Sequence, residues 1–118
     1  MVRELVDSRY ISLTTFRRDG SAVSTPVWVV SDDGRRLLVW TGGTTWKAKR
    51  IRRDARVLVA RATIRGRERG PRLEGSARIV DGVDVKALIR KKYGCQMRLL
   101  ERVSRGEDNS VAIEIVDR

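Results

Sequence analysis

The residues with the most chemistry to offer sit together between Thr41 and Arg53. A glycine pair, Gly42-Gly43, is followed by Thr44 and Thr45 and then by Lys47, Lys49, Arg50, Arg52 and Arg53. This is the order of an anion-binding element. Glycine lets a backbone come close to a ligand. The first amides of a helix lack intrahelical acceptors and carry partial positive charge. Threonine hydroxyls add donors, and Lys47, in the first turn of a helix over Trp46 to Arg53, reaches a phosphate bound there. Lys47 and Arg50 are three residues apart and share a helix face. Hydrogen bonds to charged groups contribute about 1.5–3 kcal/mol each. Two of them supply much of the ~8 kcal/mol that a micromolar ligand requires. The competing structural reading is a solvated basic helix that packs Trp46 and Ile51 inward.

Acid–base and nucleophilic machinery is harder to find. The chain has no histidine. That removes His-ligated zinc, His-ligated haem and any Ser-His or Cys-His pair. A single cysteine, Cys95, excludes a disulfide framework and reads as a buried or incidental thiol. No paired carboxylates form a motif. Tyr10 and Tyr93 are phenols able to donate a proton, though each reads first as structural. The catalytic residues therefore stay unassigned, and no metal site is expected.

Composition narrows the partners. Length (118 residues) sets one domain, residues 1–118. Hydrophobic residues at 41% and charged residues at 35% describe a globular chain rather than a disordered one. The net charge is +11, and 21 arginines against 5 lysines make up the 26 basic residues. Such a balance suits nucleic acid, an anionic membrane face or a small polyanion such as a phosphorylated cofactor. The plain alternative is that an arginine-rich, lysine-poor surface follows genome composition. No apolar run approaches the roughly 18 residues of a membrane span, and the N-terminus lacks a secretory apolar region. The expectation is a soluble, cytoplasmic protein.

The elements that must position these residues can be read in outline. Residues 2–8 suggest a short helix. Tyr10 to Phe16, Ser21 to Val30 and Arg35 to Thr41 read as strands by their β-branched and aromatic content. Turns at Asp19-Gly20 and Ser31-Asp32-Asp33-Gly34 join them into an antiparallel meander. Pro26 has no N–H for a ladder, so it marks an edge, a bulge or a place where something else meets the backbone. After the helix, which Thr44 or Thr45 can cap, Arg56 to Thr63 and Arg72 to Val80 are strands. Gly75 marks a bulge or bend in the second of these. A basic loop over 64–71 separates them. Asp81 to Tyr93 reads as an amphipathic helix with Gly94 as its stop. Its Arg90-Lys91-Lys92 run reads as a solvated face that favours the helix dipole. Gln96 to Val103 suggests another helix, and Ser110 to Val116 a last strand. Six strands, mostly antiparallel, with a few short helices point to a small barrel.

Taken in order, these pieces resemble a known family. Ser24-Thr25-Pro26-Val27-Trp28, Val39-Trp40-Thr41, Lys47 to Arg53 and Ala55-Arg56-Val57 resemble the pyridoxamine 5′-phosphate oxidase-like flavin-binding proteins. The set is closest to their short, deazaflavin-dependent branch. Leu13-Thr14-Thr15 with Asp19-Gly20, Thr25 to Trp28, Thr41-Lys47-Arg50, and Glu74-Gly75-Ser76-Ala77-Arg78 stand in that branch's order and spacing, over roughly residues 10–80. The resemblance implies a mainly β fold, a six-stranded antiparallel split β-barrel with short flanking helices. It implies a homodimer with a flavin-type cofactor at the interface. Thr25, Pro26, Val27 and Trp28 would flank the ring system. Thr41, Lys47 and Arg50 would hold the phosphate, and Trp40 would touch the cofactor. Arg65, Arg67 and Arg69 of the basic loop are within reach of the acidic tail of a longer cofactor. Trp28 and Trp40 read equally well as core or interface aromatics, and Trp46 as an anchor of helix to barrel.

The first functional expectation is an oxidoreductase. It would pass hydride between reduced coenzyme F-420, a deazaflavin with a phosphodiester and a polyglutamate tail, and an electron-poor acceptor such as an enone or quinone. The hard step would belong to the cofactor. The alternative keeps the fold and uses FMN, as an oxidase-like enzyme or a flavin carrier. A member of the fold that only sequesters cofactor is also possible on these residues. More distant is a basic small-barrel nucleic-acid binder. Six aromatics that form no spaced stacking series argue against it, so no nucleic acid is expected.

Overall fold

Two glycines set where the chain first reverses. Gly20 and Gly34 have φ of 87° and 78°, a region that side chains with a Cβ rarely enter. In a computed structural model that describes residues 2–42, 45–81, 83–93 and 110–118, they lie between the first three strands. The elements are α1 (Val2–Leu5), β1 (Tyr10–Phe16), β2 (Ala22–Trp28), β3 (Leu37–Gly42), α2 (Trp46–Arg53), β4 (Arg56–Ala62), β5 (Leu73–Val80), α3 (Val85–Tyr93) and β6 (Ser110–Asp117). The strands form one antiparallel six-stranded sheet in the order β2-β1-β4-β5-β6-β3. The sheet curls until its edges meet at a single bridge. There Val30 N donates to Leu38 O at 3.0 Å and Leu38 N donates to Val30 O at 2.7 Å. The expected mainly β fold of six antiparallel strands with short helices is thus observed, as a curled half-barrel.

The curl follows from alternation. Ile11 and Leu13 of β1, Val57 and Val59 of β4, Ala77 of β5, Ile113 and Ile115 of β6, and Leu37 and Val39 of β3 all turn to one side. Strand side chains alternate with period two, so a closed interior needs this pattern in every strand. Val2 and Leu5 of α1 and Ile51 of α2 join the same core. A second, smaller cluster lies outside the barrel. Val85 and Ile89 of α3 cover Val30, Leu38 and Ala112, with Trp28 and Trp40 packed at its margin.

Several expectations are corrected. The first three strands are not a meander: β3 leaves β2 after the one bridge and pairs with β6, Leu37 opposite Ile115 and Val39 opposite Ile113. Gly75 makes no bulge; it holds regular register opposite Val57 and Asp117. Helix α1 ends at Leu5, short of Ser8. Helix α3 begins only at Val85, because the Asp84 carboxylate accepts from Ala87 N at 3.1 Å and caps it there. The stop at Gly94, Cys95 and the helix over Gln96 to Val103 lie outside the described residues, as do Gly43 and Thr44.

Lys92 overturns the reading of a solvated basic run. Arg90 and Lys91 are exposed, but Lys92 turns in. Its ammonium donates to Ser8 O and Val29 O at 2.7 Å each and to Val6 O at 3.1 Å. Burial holds its pKa below the ordinary lysine value. One side chain thus ties α3 to the chain after α1 and to the end of β2.

Candidate functional site

The split between the two sheet edges forms a groove of about 300 Å³. Its walls come from five helices and strands and one loop. Pro26, Val27 and Trp28 of β2 form one side, and Trp40 and Thr41 of β3 the other. Lys47 of α2 closes one end. Tyr10 of β1, Ile64 of the β4–β5 loop and Ile89 of α3 complete it. β2 is an edge strand, the place where a proline is tolerated in a sheet. Pro26 is backed by the β4–β5 loop, where a Cβ on Gly66 would lie 3.4 Å from Pro26 Cδ. That is ordinary contact, and it is the φ of 86° at Gly66 that favours glycine there.

Lys47 sits where α2 starts. Thr45 caps the helix, its hydroxyl accepting from Ala48 N at 3.4 Å, and Thr41 Oγ1 lies 3.3 Å from Thr45 Oγ1. The first turn of α2 holds no acidic residue, although acid is what a helix N-terminus favours. Lys47 stands there instead. Burial, and secondarily the Arg50 guanidinium, push its pKa below the ordinary lysine value. Among the described residues it has no carboxylate partner. A half-buried ammonium at a helix N-terminus, with like charge beside it, is an electrostatic arrangement that an anion completes.

The structure brings six of the eight sequence-derived residues together: Pro26, Val27, Trp28, Trp40, Thr41 and Lys47 line the groove. Thr25 does not. It pairs with Leu13 on the barrel-facing side of β2, and its Oγ1 is buried without a partner among the described residues. Arg50 does not either; it borders a different cleft across α2, with Trp46. Arg65, Arg67 and Arg69 are exposed and border neither cavity. Trp46 is no anchor: it is 68% exposed, and Ile51 alone of the two turns into the core. Trp28 and Trp40 both line the groove and pack against the α3 cluster. Of the two tyrosines, Tyr10 lines the groove, and the Tyr93 side chain lies outside the described ones.

Ile64 and Ile89 are the lining residues that sequence reasoning missed. Ile64 left a signal: a large apolar residue, 66% exposed, inside an otherwise basic loop. Ile89 left none, because helical periodicity placed it in the core, where it also belongs.

The residues fit a flavin-type group. Trp28, Trp40, Pro26 and Val27 give flat, apolar walls, Thr41 a hydroxyl and Lys47 one cation. Comparison with known proteins agrees with the architecture. The family model described as pyridoxamine 5′-phosphate oxidase matches residues 1–116. The chain belongs to the pyridoxamine 5′-phosphate oxidase family. A conserved hypothetical protein of Mycobacterium tuberculosis is 24% identical, with TM-score 0.73 over 99% of this chain and 78% of that one. A putative pyridoxamine 5′-phosphate oxidase of Listeria innocua is 22% identical, with TM-score 0.61 over 98% of this chain and 86% of that one. The heme storage protein of Vibrio cholerae shares the fold at 11% identity, with TM-score 0.68 over 99% of this chain and 85% of that one. These likenesses show the fold of this oxidase-family member and nothing finer. No curated protein matches it. No helix among the described residues is long and apolar enough to cross a membrane.

Proposed function

We propose that this protein is an oxidoreductase that binds reduced coenzyme F-420 in the groove between β2 and β3 and passes its hydride to an electron-poor acceptor such as an enone or quinone. The observation that carries the reading is Lys47, a half-buried cation with a lowered pKa and no carboxylate partner among the described residues, at the end of an apolar groove. When bound, the deazaflavin supplies hydride chemistry at C5. The chain's own residues bind and orient. Pro26, Val27, Trp28 and Trp40 take the ring system and exclude water. Lys47 and Thr41 hold the phosphate. Tyr10 stands in the wall as a phenol able to give the proton that accompanies the hydride.

The FMN alternative is weighed by charge. A phosphomonoester is close to a dianion at neutral pH, whereas a phosphodiester is a monoanion. Among the described residues Lys47 is the one cation that lines the groove; Arg50 lies close enough to repel it but borders the neighbouring cleft. A single ammonium matches the phosphodiester better. Ligation of haem iron by histidine, as a third reading after the heme-storage relative, is closed to this chain, which has no histidine.

A groove of about 300 Å³ on one chain holds a ring system but is small for a whole cofactor, since sites for drug-sized ligands reach about 1,000 Å³. A second copy of the chain, closing over the groove, supplies the rest in this reading.

The test is anaerobic turnover. Reduced deazaflavin mixed with protein and an enone or quinone should return to its oxidised absorbance at a rate that depends on acceptor, and Lys47→Ala should abolish this at low cofactor concentration. Tight FMN binding without deazaflavin turnover would overturn the assignment.

A further inference from the structure

Beside Lys47, α2 carries a second arrangement that the groove does not use. Trp46 is 68% exposed, the most exposed large apolar side chain among the described residues. Lys49 Nζ lies 4.7 Å from its ring centroid and Arg50 Cζ 5.9 Å. Arg17 and Arg18, from the β1–β2 turn, and Arg53, two turns further along α2, line with it a cleft of about 560 Å³. Among the described residues the lining is Trp46 and five cations, with no carboxylate. The nearest acid in the turn, Asp19, feels the charge of Arg17, but its hydrogen bonds go to the turn: its carboxylate accepts from Ser21 N at 2.9 Å and from Ser21 Oγ at 2.7 Å. Arg53 is held in place by donating to Phe16 O.

Five like charges around one cleft repel each other, and an exposed indole gains nothing from burial; both features are relieved by the same kind of ligand. A flat ring stacks on Trp46 and displaces the Lys49 ammonium from its face. Guanidinium forks match phosphate oxygens in pairs. The cleft volume lies in the range of small-molecule sites. A spaced series of rings is what a polynucleotide track needs; a single ring suits a single base.

We propose that this cleft binds a free nucleoside di- or triphosphate, its base on Trp46 and its phosphates on Arg17, Arg18, Arg50 and Arg53. The site is separate from the groove and does not depend on the deazaflavin reading.

Calorimetric titration of the full chain with ADP, with inorganic pyrophosphate and with a short single-stranded oligonucleotide tests this. ADP should bind about tenfold more tightly than pyrophosphate, the gain that base stacking provides. Trp46→Ala should erase that difference, and Arg18→Ala should weaken both ligands. Both side chains are exposed, so neither variant threatens the fold. Equal affinity for pyrophosphate and ADP would overturn the proposal in favour of a bare anion site. Binding of the oligonucleotide alone would overturn it in favour of a nucleic-acid surface. ADP binding undiminished by Trp46→Ala, or no ADP binding at millimolar concentration, would also overturn it.

Discussion

Lys47 and Lys92 are both lysines with pKa values lowered chiefly by burial, yet they do opposite things. Lys92 is satisfied by three carbonyls, whereas Lys47 has no carboxylate partner among the described residues. The two therefore answer substitution differently. Lys47→Ala should weaken cofactor binding by roughly one to two decades, the loss of one charge-assisted bond. The melting temperature without cofactor should stay where it is, because the ammonium stabilises nothing in the free chain. A collapse of that stability would make Lys47 structural. Lys92→Met should instead cost about 2–3 kcal/mol in urea unfolding, because buried acceptors lose their donor. An unchanged midpoint would show that water serves those carbonyls equally well. Residue type alone could not separate these two lysines. Lys47 was legible because a glycine pair and threonines precede it; Lys92 sits in a basic run and looks solvated until the chain before β1 is folded against it.

Elements differ in how much of them is local. Helix α2 runs over Trp46 to Arg53, as its sequence indicates, because Thr45 caps it and Asp54 N closes it on Arg50 O at 2.8 Å. The meander failed for the opposite reason. A turn signal shows that a chain reverses, not which strand the next one joins. Between β2 and β3, Ser31 Oγ donates to Arg36 O at 2.6 Å and accepts from Gly34 N at 2.8 Å, building a broad loop rather than a two-residue hairpin. β3 is then free to pair with β6, whose Ile113 and Ile115 match Val39 and Leu37 from far along the chain. The same pairing brings Glu114 between two arginines. Its carboxylate accepts from Arg78 Nε at 2.9 Å and from Arg36 Nη1 at 2.6 Å, and these bonds hold its pKa below the ordinary 4.5. A carboxyl lowered on folding stabilises the native state above its unfolded pKa and loses that contribution as pH falls through the native value. Thermal unfolding between pH 6 and 3 should therefore show a drop in midpoint below about pH 4.5 that Glu114→Gln reduces. An identical drop in the variant would assign the acid sensitivity to other carboxylates.

For the whole molecule, the curled sheet explains why the groove lies where it does. Closing six strands through one bridge leaves the edges of β2 and β3 splayed beyond it, and the groove opens there. Most of its lining was legible because Pro26 in a strand and the two tryptophans stand out. Arg50 and Thr25 fall outside the groove's lining because helix spacing and strand order do not say which side of an element faces the groove. A groove this small on one chain predicts a two-fold dimer that encloses the cofactor. Sedimentation at micromolar protein should give a dimer, and a stable monomer would contradict the shared site.

The central claim is that the groove holds a deazaflavin. Titrating the protein with oxidised coenzyme F-420, and in parallel with FMN, while following tryptophan fluorescence tests it most directly, because Trp28 and Trp40 form the groove's walls. The account predicts strong quenching, a micromolar or tighter dissociation constant for the deazaflavin, and weaker binding of FMN. Tighter FMN binding, or no quenching by either ligand, would contradict it.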